Sequence, residues 1–185
     1  MADANVVIRE ASTPGDLGWM IMAHGEMYAR EYGWDSSFEA LVARILTDFA
    51  NTDDRDRAQA WIGEVDGRRA GCVMCCAEDE STAELHTLLV EPWARGRRLG
   101  TRLVDQCLEF ARGAGYMRVK LWTNDPLIAA RHVYLSRGFR LVREEPHHSF
   151  GMDMVGQYYE LDLHQRSSET TGDGEQAGAS AARRG

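Results

Sequence analysis

Apolar residues recur along the chain with two rhythms, one near 3.6 and one of 2, and their succession predicts the elements. Val6–Glu10 reads as a short strand. Leu17, Met20, Ile21, His24 and Tyr28 then share one helical face, which predicts an amphipathic helix from Pro14 to Tyr32, with Pro14 suited to its first turn. Asp35 or Ser36 suits the N-cap of a second helix, whose buried stripe is Phe38, Leu41, Val42, Ile45, Leu46 and Phe49. The polar stretch Asn51–Arg57 ends it. Strands are predicted over Ala58–Val65 and Arg69–Ala77, joined by the hairpin signal Asp66-Gly67, and over Glu84–Val90, which stops at Pro92. The helical rhythm returns from Leu99 to Ala114, closed by Gly115. A strand at Arg118–Thr123, a helix at Leu127–Arg137 stopped by Gly138, and strands at Phe139–Glu144 and Gln157–Leu163 complete the series. Three strands in a row followed by strand–helix–strand–helix–strand predict an α/β (α+β) mixed sheet with helices on both faces.

Length and composition narrow the class. The 185 residues suit one folded domain, placed at 1–164. The segment 165–185 contains no large apolar side chain to repay the entropy of ordering, so a disordered tail is expected there. The formal charge of −8 argues against nucleic acid as a partner, because phosphate binding needs a basic face. No apolar run is long enough to cross a membrane, and the N-terminus has no basic-then-apolar segment, so a cytoplasmic protein is expected. Cys72 and Cys75 have the spacing of a metal pair. On a strand, however, residues three apart point to opposite faces, so no metal site is expected, and the cysteines read as small buried apolar residues. An exposed last strand would offer an edge for a homodimer.

The chemistry is concentrated between Leu85 and Phe139. A strand ending at Val90 runs through Glu91-Pro92-Trp93-Ala94-Arg95-Gly96-Arg97-Arg98-Leu99-Gly100 into a helix. Free N–H groups, a positive helix end and guanidinium charge make that turn either an anion site suited to a pyrophosphate or a solvated basic loop. Glu84 and His86, two apart on the strand, project on one face and are candidate bases, or alternatively a surface or cross-strand pair.

The arrangement resembles the GCN5-related N-acetyltransferase (GNAT) family. Val90, Pro92, Arg95, Gly96 and Gly100 match its strand-and-turn signature, and Arg98 stands where the family usually has glycine. Asn124 after the strand at 118–123, and Tyr134-Leu135-Ser136-Arg137-Gly138-Phe139 closing the next helix, are similar to the family as well. The segments 24–43 and 147–163 resemble the acetyltransferase half of bacterial proteins fused to a MarR-type DNA-binding domain. The resemblance implies a twisted, mostly antiparallel GNAT-like sheet with one splayed parallel strand pair. It implies acetyl-CoA as cosubstrate, lying against main-chain groups of Leu88, Leu89 and Val90, with its pyrophosphate on Arg95, Gly96, Arg97, Arg98, Leu99 and Gly100. Thr101 would add a hydroxyl and Asn124 a further contact. Tyr134 is implied as general acid, against the alternative of a core tyrosine. His24 and Tyr28, and less strongly His147 and His148, would face an acceptor pocket; Trp34 and Trp122 read as core or pocket wall. The activity implied is acetyl transfer to a primary amine of a small molecule, peptide or protein by direct attack in a ternary complex. The alternative is a non-catalytic acyl-CoA sensor or scaffold.

Overall fold

The computed structural model describes residues 5–164, so the tail expected at 165–185 lies outside them. Among the described residues the elements follow the predicted order. Strands β1 (Val6–Glu10), β2 (Gln59–Val65), β3 (Arg68–Ala77), β4 (Thr82–Val90), β5 (Arg118–Asn124), β6 (Arg140–Ser149) and β7 (Met152–Asp162) are interspersed with helices α1 (Asp16–Tyr32), α2 (Ser36–Asn51), α3 (Leu99–Gly113) and α4 (Ile128–Ser136). The strands form one sheet in the order β1-β2-β3-β4-β5-β7-β6. Only β4 and β5 run parallel.

Period-2 alternation along β3 divides the core in two. Cys72 and Met74 pack beneath α1 and α2, whereas Val73 and Cys75 pack on the α3 side. Cys72 and Cys75 therefore point to opposite faces, as the strand reading required.

The start of α1 is tied down by charge. Asp16 is fully buried at the helix N-terminus and accepts from Arg9 at 2.7 Å, Arg69 at 2.9 Å and the Thr13 N–H at 3.0 Å. One carboxylate thus joins β1, α1 and β3, and this fixes the helix over the sheet.

The C-terminal hairpin departs from expectation. The strands expected at 139–144 and 157–163 extend to Ser149 and back to Met152, leaving Phe150-Gly151 as a two-residue turn. Both turn residues have positive φ, 56° and 78°, the geometry that matches the twist of flanking strands. Pro146 lies on β6, an edge strand, where its missing N–H costs no ladder bond. The last strand, β7, is not an exposed edge: it lies between β5 and β6, and the edge belongs to β6. The hairpin tip is fastened to the α1–α2 corner. The Asp35 N–H donates to the Phe150 carbonyl at 3.1 Å, and the Phe150 ring sits 4.9 Å from Trp34 and 5.0 Å from Phe38.

Candidate active site

The site begins with a failure of strand pairing. β4 and β5 are in register only from Thr82–Leu85 against Arg118–Leu121. Two residues later Thr87 takes φ 52°, and the β3–β4 register slips opposite it, between Cys72 and Met74. A β-branched residue at positive φ is a strained bulge, and bulges sharpen the local twist. The Cys72 thiol donates to the Thr87 carbonyl at 3.3 Å and steadies the kink. Beyond it β4 leaves β5, and a gap opens between them.

Alternation decides which main-chain groups face that gap. The Glu91 N–H donates to Ala70 O at 2.8 Å, and Leu89 stands opposite Cys72, so positions 89 and 91 turn their polar groups to β3. Leu88 and Val90 turn theirs to the gap. Leu89, expected to offer main-chain contacts there as well, instead faces β3, and its side chain is buried under α1 and α2.

A 3₁₀ turn, Pro92–Ala94, leads from β4 to the loop. Gly96 has φ 81° and Arg98, at the N-cap of α3, has φ 58°. The first intrahelical donor is the Arg102 N–H, 3.0 Å from Arg98 O, which leaves the N–H groups of Leu99, Gly100 and Thr101 without a partner in the helix. A Cβ at Gly100 would stand in ordinary contact with Val90, at 3.4 Å. A cavity of about 360 Å³ lies over this helix start, lined by Leu88, Leu89, Val90, Arg95, Gly96, Arg98, Leu99, Gly100 and Thr101. Of the loop residues expected to hold a pyrophosphate, Arg97 alone stands outside the lining, exposed to solvent. The Arg95 guanidinium meets Glu31 of α1 at 2.7 Å, so it also ties the loop to the helix roof.

A second cavity, about 460 Å³, lies under α1 and α2 and meets the first along Tyr28, Leu88, Leu127 and Ala130. Glu84, His86, Tyr134, His24, Tyr28, Asn124, Trp34 and Trp122 all line it. Their surroundings give them different chemistry. Burial, with Glu78 adding repulsion and Lys120 opposing, raises the Glu84 carboxyl to about 7. Burial lowers His86 to about 4, so at neutral pH its 3.5 Å contact with Glu84 joins a neutral ring to a carboxyl. Burial pushes the Tyr134 phenol up and keeps it protonated. The Tyr134 ring packs edge-on to Phe139 at 5.8 Å. Tyr134 is thus a wall of the core and a lining residue of the cavity at once.

His24 is fully buried and lowered to about 4 by desolvation. Asn124 lines the cavity under α1 and α2 rather than the one over the loop, and its Oδ1 meets His147 Nε2 at 2.8 Å. His147 therefore stands behind Asn124. His148 is exposed on the hairpin beside Asp153, away from both cavities. Thr87 was missed in the sequence, where it reads as an ordinary strand residue. Phe38, Leu41, Val42 and Ile45, the expected buried stripe of α2, also line the cavity.

A splayed parallel strand pair thus lies beside a helix start with free N–H groups, on a sheet of order β1-β2-β3-β4-β5-β7-β6. The chain belongs to the acetyltransferase (GNAT) family, whose model matches residues 17–139. An uncharacterized N-acetyltransferase of Methanocaldococcus jannaschii is 33% identical over 121 residues, 62% of this chain and 54% of the relative. The mycothiol acetyltransferase of Beutenbergia cavernae is 34% identical over 140 residues, 69% of this chain and 47% of the relative. The chain spans about half the length of these two relatives. Among solved structures, yncA from Salmonella typhimurium, determined with its cofactor acetyl-CoA, superposes with a TM-score of 0.70 at 16% identity, covering 90% of this chain and 99% of that one. A Streptococcus pneumoniae acetyltransferase of the GNAT family gives 0.66 at 17% identity, covering 85% and 99%. The mixed sheet read from the element order, mostly antiparallel as the family resemblance implies, is that fold. Among the described residues no helix is long and apolar enough to cross a membrane.

Proposed function

We propose that the protein transfers an acetyl group from acetyl-CoA to a primary amine by direct attack while both are bound. The observation that carries this is the junction of the two cavities at the β4–β5 gap: free amides lie on one side, and Glu84 and Tyr134 on the other. The residues fit the cosubstrate. The amides of Leu99, Gly100 and Thr101 would hold the pyrophosphate, with Arg98 adding charge, and Leu88 and Val90 would pair with the pantetheine arm. Acetyl-CoA, when bound, supplies the acetyl group as a thioester open to an amine.

The chain's own part is proton handling. An alkylammonium is no nucleophile, and with a pKa near 10 it must lose a proton before attack. Glu84, raised to about 7, is a base matched to neutral pH, acting directly or through one water. Tyr134, protonated throughout this range, would give its proton to the departing sulfur and regain one from the nitrogen of the new amide, so thiol and amide form and the only net proton released is the one Glu84 took. His86 remains neutral beside Glu84 and positions it.

Calorimetric titration with acetyl-CoA, followed by an assay of CoA release with a panel of amines, tests the reading. Saturable binding with amine-dependent CoA release is the expected result. Binding without release for any amine would make the domain an acyl-CoA sensor, and no binding at millimolar acetyl-CoA would remove both readings.

A further inference from the structure

Strand pairing surrounds Glu84 with charge of both signs. It stands opposite Cys76 of β3 and opposite Lys120 of β5. Glu78 lies just past β3, two residues beyond Cys76, so it sits on the diagonal from Glu84 on one face of the sheet, within reach of a long side chain. The turn that follows is closed on itself. Asp79 Oδ1 accepts from the Ser81 and Thr82 N–H groups at 2.8 Å each, and the Glu78 N–H donates to the Thr82 carbonyl at 3.0 Å. Glu78 is thereby held beside Glu84, and the two carboxyl groups hydrogen-bond each other.

An ionised carboxylate only accepts, so a hydrogen bond between two carboxyl groups requires a proton on one of them. Lys120 decides which. Its Nζ lies 2.6 Å from Glu78 Oε1, so the cation fixes Glu78 as the anion and leaves the proton with Glu84. Burial acts in the same direction, since the Glu78 side chain is 42% exposed and that of Glu84 21%. On its other side Glu84 Oε2 meets His86 Nε2 at 3.5 Å. Glu84 also stands between two hollows. It lines the cavity under α1 and α2, and with Lys120, Arg143, Tyr158 and Glu160 it lines another of about 370 Å³ bordered by β5, β7 and β6. The other charges there are engaged elsewhere: Arg143 lies over the Tyr158 ring and meets Glu145 at 3.3 Å, and Glu160 meets Arg118 at 3.7 Å.

We infer that Glu78 is a positioning residue for the transfer: anchored by Lys120, it shares one proton with Glu84, so the general base is a carboxyl pair held by a lysine. This rests on the transfer reading above, whose base it completes. With both carboxyls ionised, Glu84 takes the proton as the ammonium N–H bond breaks, and the new O–H donates to Glu78. The pair then returns that proton to solvent and is ready for the next acceptor. A pair that already holds its proton cannot take another, which ties the rate to its ionisation.

Removing either partner moves that ionisation in a known direction. In Glu78→Gln the repelling carboxylate is gone, and the rising limb of kcat/KM against pH is expected about one pH unit lower. In Lys120→Met the attracting cation is gone, and the limb is expected higher by a similar interval. The same variants are read without turnover by following the side-chain carboxyl carbon of Glu84 by NMR through a pH titration, with Glu84→Gln assigning the signal. Neither residue lines the cavity over the helix start, so an unchanged acetyl-CoA affinity shows that the variants fold. A limb and a signal that move down in Glu78→Gln and up in Lys120→Met support the inference. Variants that lose rate evenly at every pH, with the limb in place, overturn it and leave acetyl transfer standing. Where no amine releases CoA from the wild-type protein, the transfer reading falls and the titration alone judges the pair: opposite movement keeps it, and an unmoved signal removes it.

Discussion

Two side chains at the site carry opposite consequences of the same burial. Glu84 is pushed up to about 7, so its basic form grows in as pH rises through 7. The rate at low amine concentration is expected to climb across that interval and then level off. In Glu84→Gln that limb should vanish, which pH profiles of kcat/KM will show. Stability has the opposite sign. The folded state holds a proton on Glu84 that the unfolded chain releases near 4.5, so the group contributes most below that pH and loses its contribution as pH rises through about 7. Glu84→Gln should therefore raise the melting temperature more at pH 8 than at pH 5. Tyr134 is judged by a different split. Tyr134→Phe is expected to lower kcat about 100-fold and leave the acetyl-CoA dissociation constant unchanged, and an equal loss in both would assign it to packing alone. Strand spacing put Glu84 and His86 on one face, and the family resemblance singled out Tyr134; the fold brings all three to the lining of one cavity. Thr87 was not, since nothing in its neighbours' polarity announces a bulge.

The loop from β4 into α3 shows how one element reconciles binding with backbone geometry. Its helix start needs a residue in the left-handed region, and Arg98 occupies it at φ 58°. A side chain there costs about 1–2 kcal/mol relative to glycine. Arg98→Gly is expected to raise stability by about 1 kcal/mol in urea unfolding, whereas Arg98→Ala, which keeps a Cβ, should give no gain. If both variants gain equally, the relief comes from charge and not from backbone. Salt dependence of acetyl-CoA binding will separate the charge that Arg98 contributes from the amides it leaves in place. The turn was visible in the sequence from its glycines, arginines and following apolar stripe. Its inner detail was not: that Arg97 looks outward while Arg98 lines the cavity depends on the order of positive and negative φ along six residues.

At the scale of the whole molecule, buried titratable groups set the acid side of stability. His24 and His86 are lowered to about 4, so between about 6.5 and 4 the unfolded chain takes up protons the folded one refuses. Glu84 and Glu91, both raised by burial, oppose them over part of that interval, while the two imidazoles pull the other way throughout it. Net stability is therefore expected to fall as pH drops from 6.5 toward 4, with a fluorescence-monitored melting temperature lower at pH 5 than at pH 7. Below that, Asp16, held under its usual range by Arg9 and Arg69 in spite of burial, loses its contribution as it protonates. A melting temperature that stays flat from pH 7 to 5 in Glu84→Gln, where the main opposing carboxyl is gone, would contradict the neutral, buried state of both imidazoles.

Residue order alone determined the sequence of elements, the two-sided sheet, the opposed faces of Cys72 and Cys75, and the turn at Arg95–Gly100, because periodicity and turn chemistry act over a few neighbouring positions. Contact between distant segments decided the rest. The bulge at Thr87 exists against β3. The placing of β7 inside the sheet follows from pairing with both β5 and β6. The packing of Phe150 on Trp34 and Phe38, which line the cavity, joins the C-terminal hairpin to the α1–α2 corner. A local pattern records which face a side chain takes, and it cannot record what lies across from it.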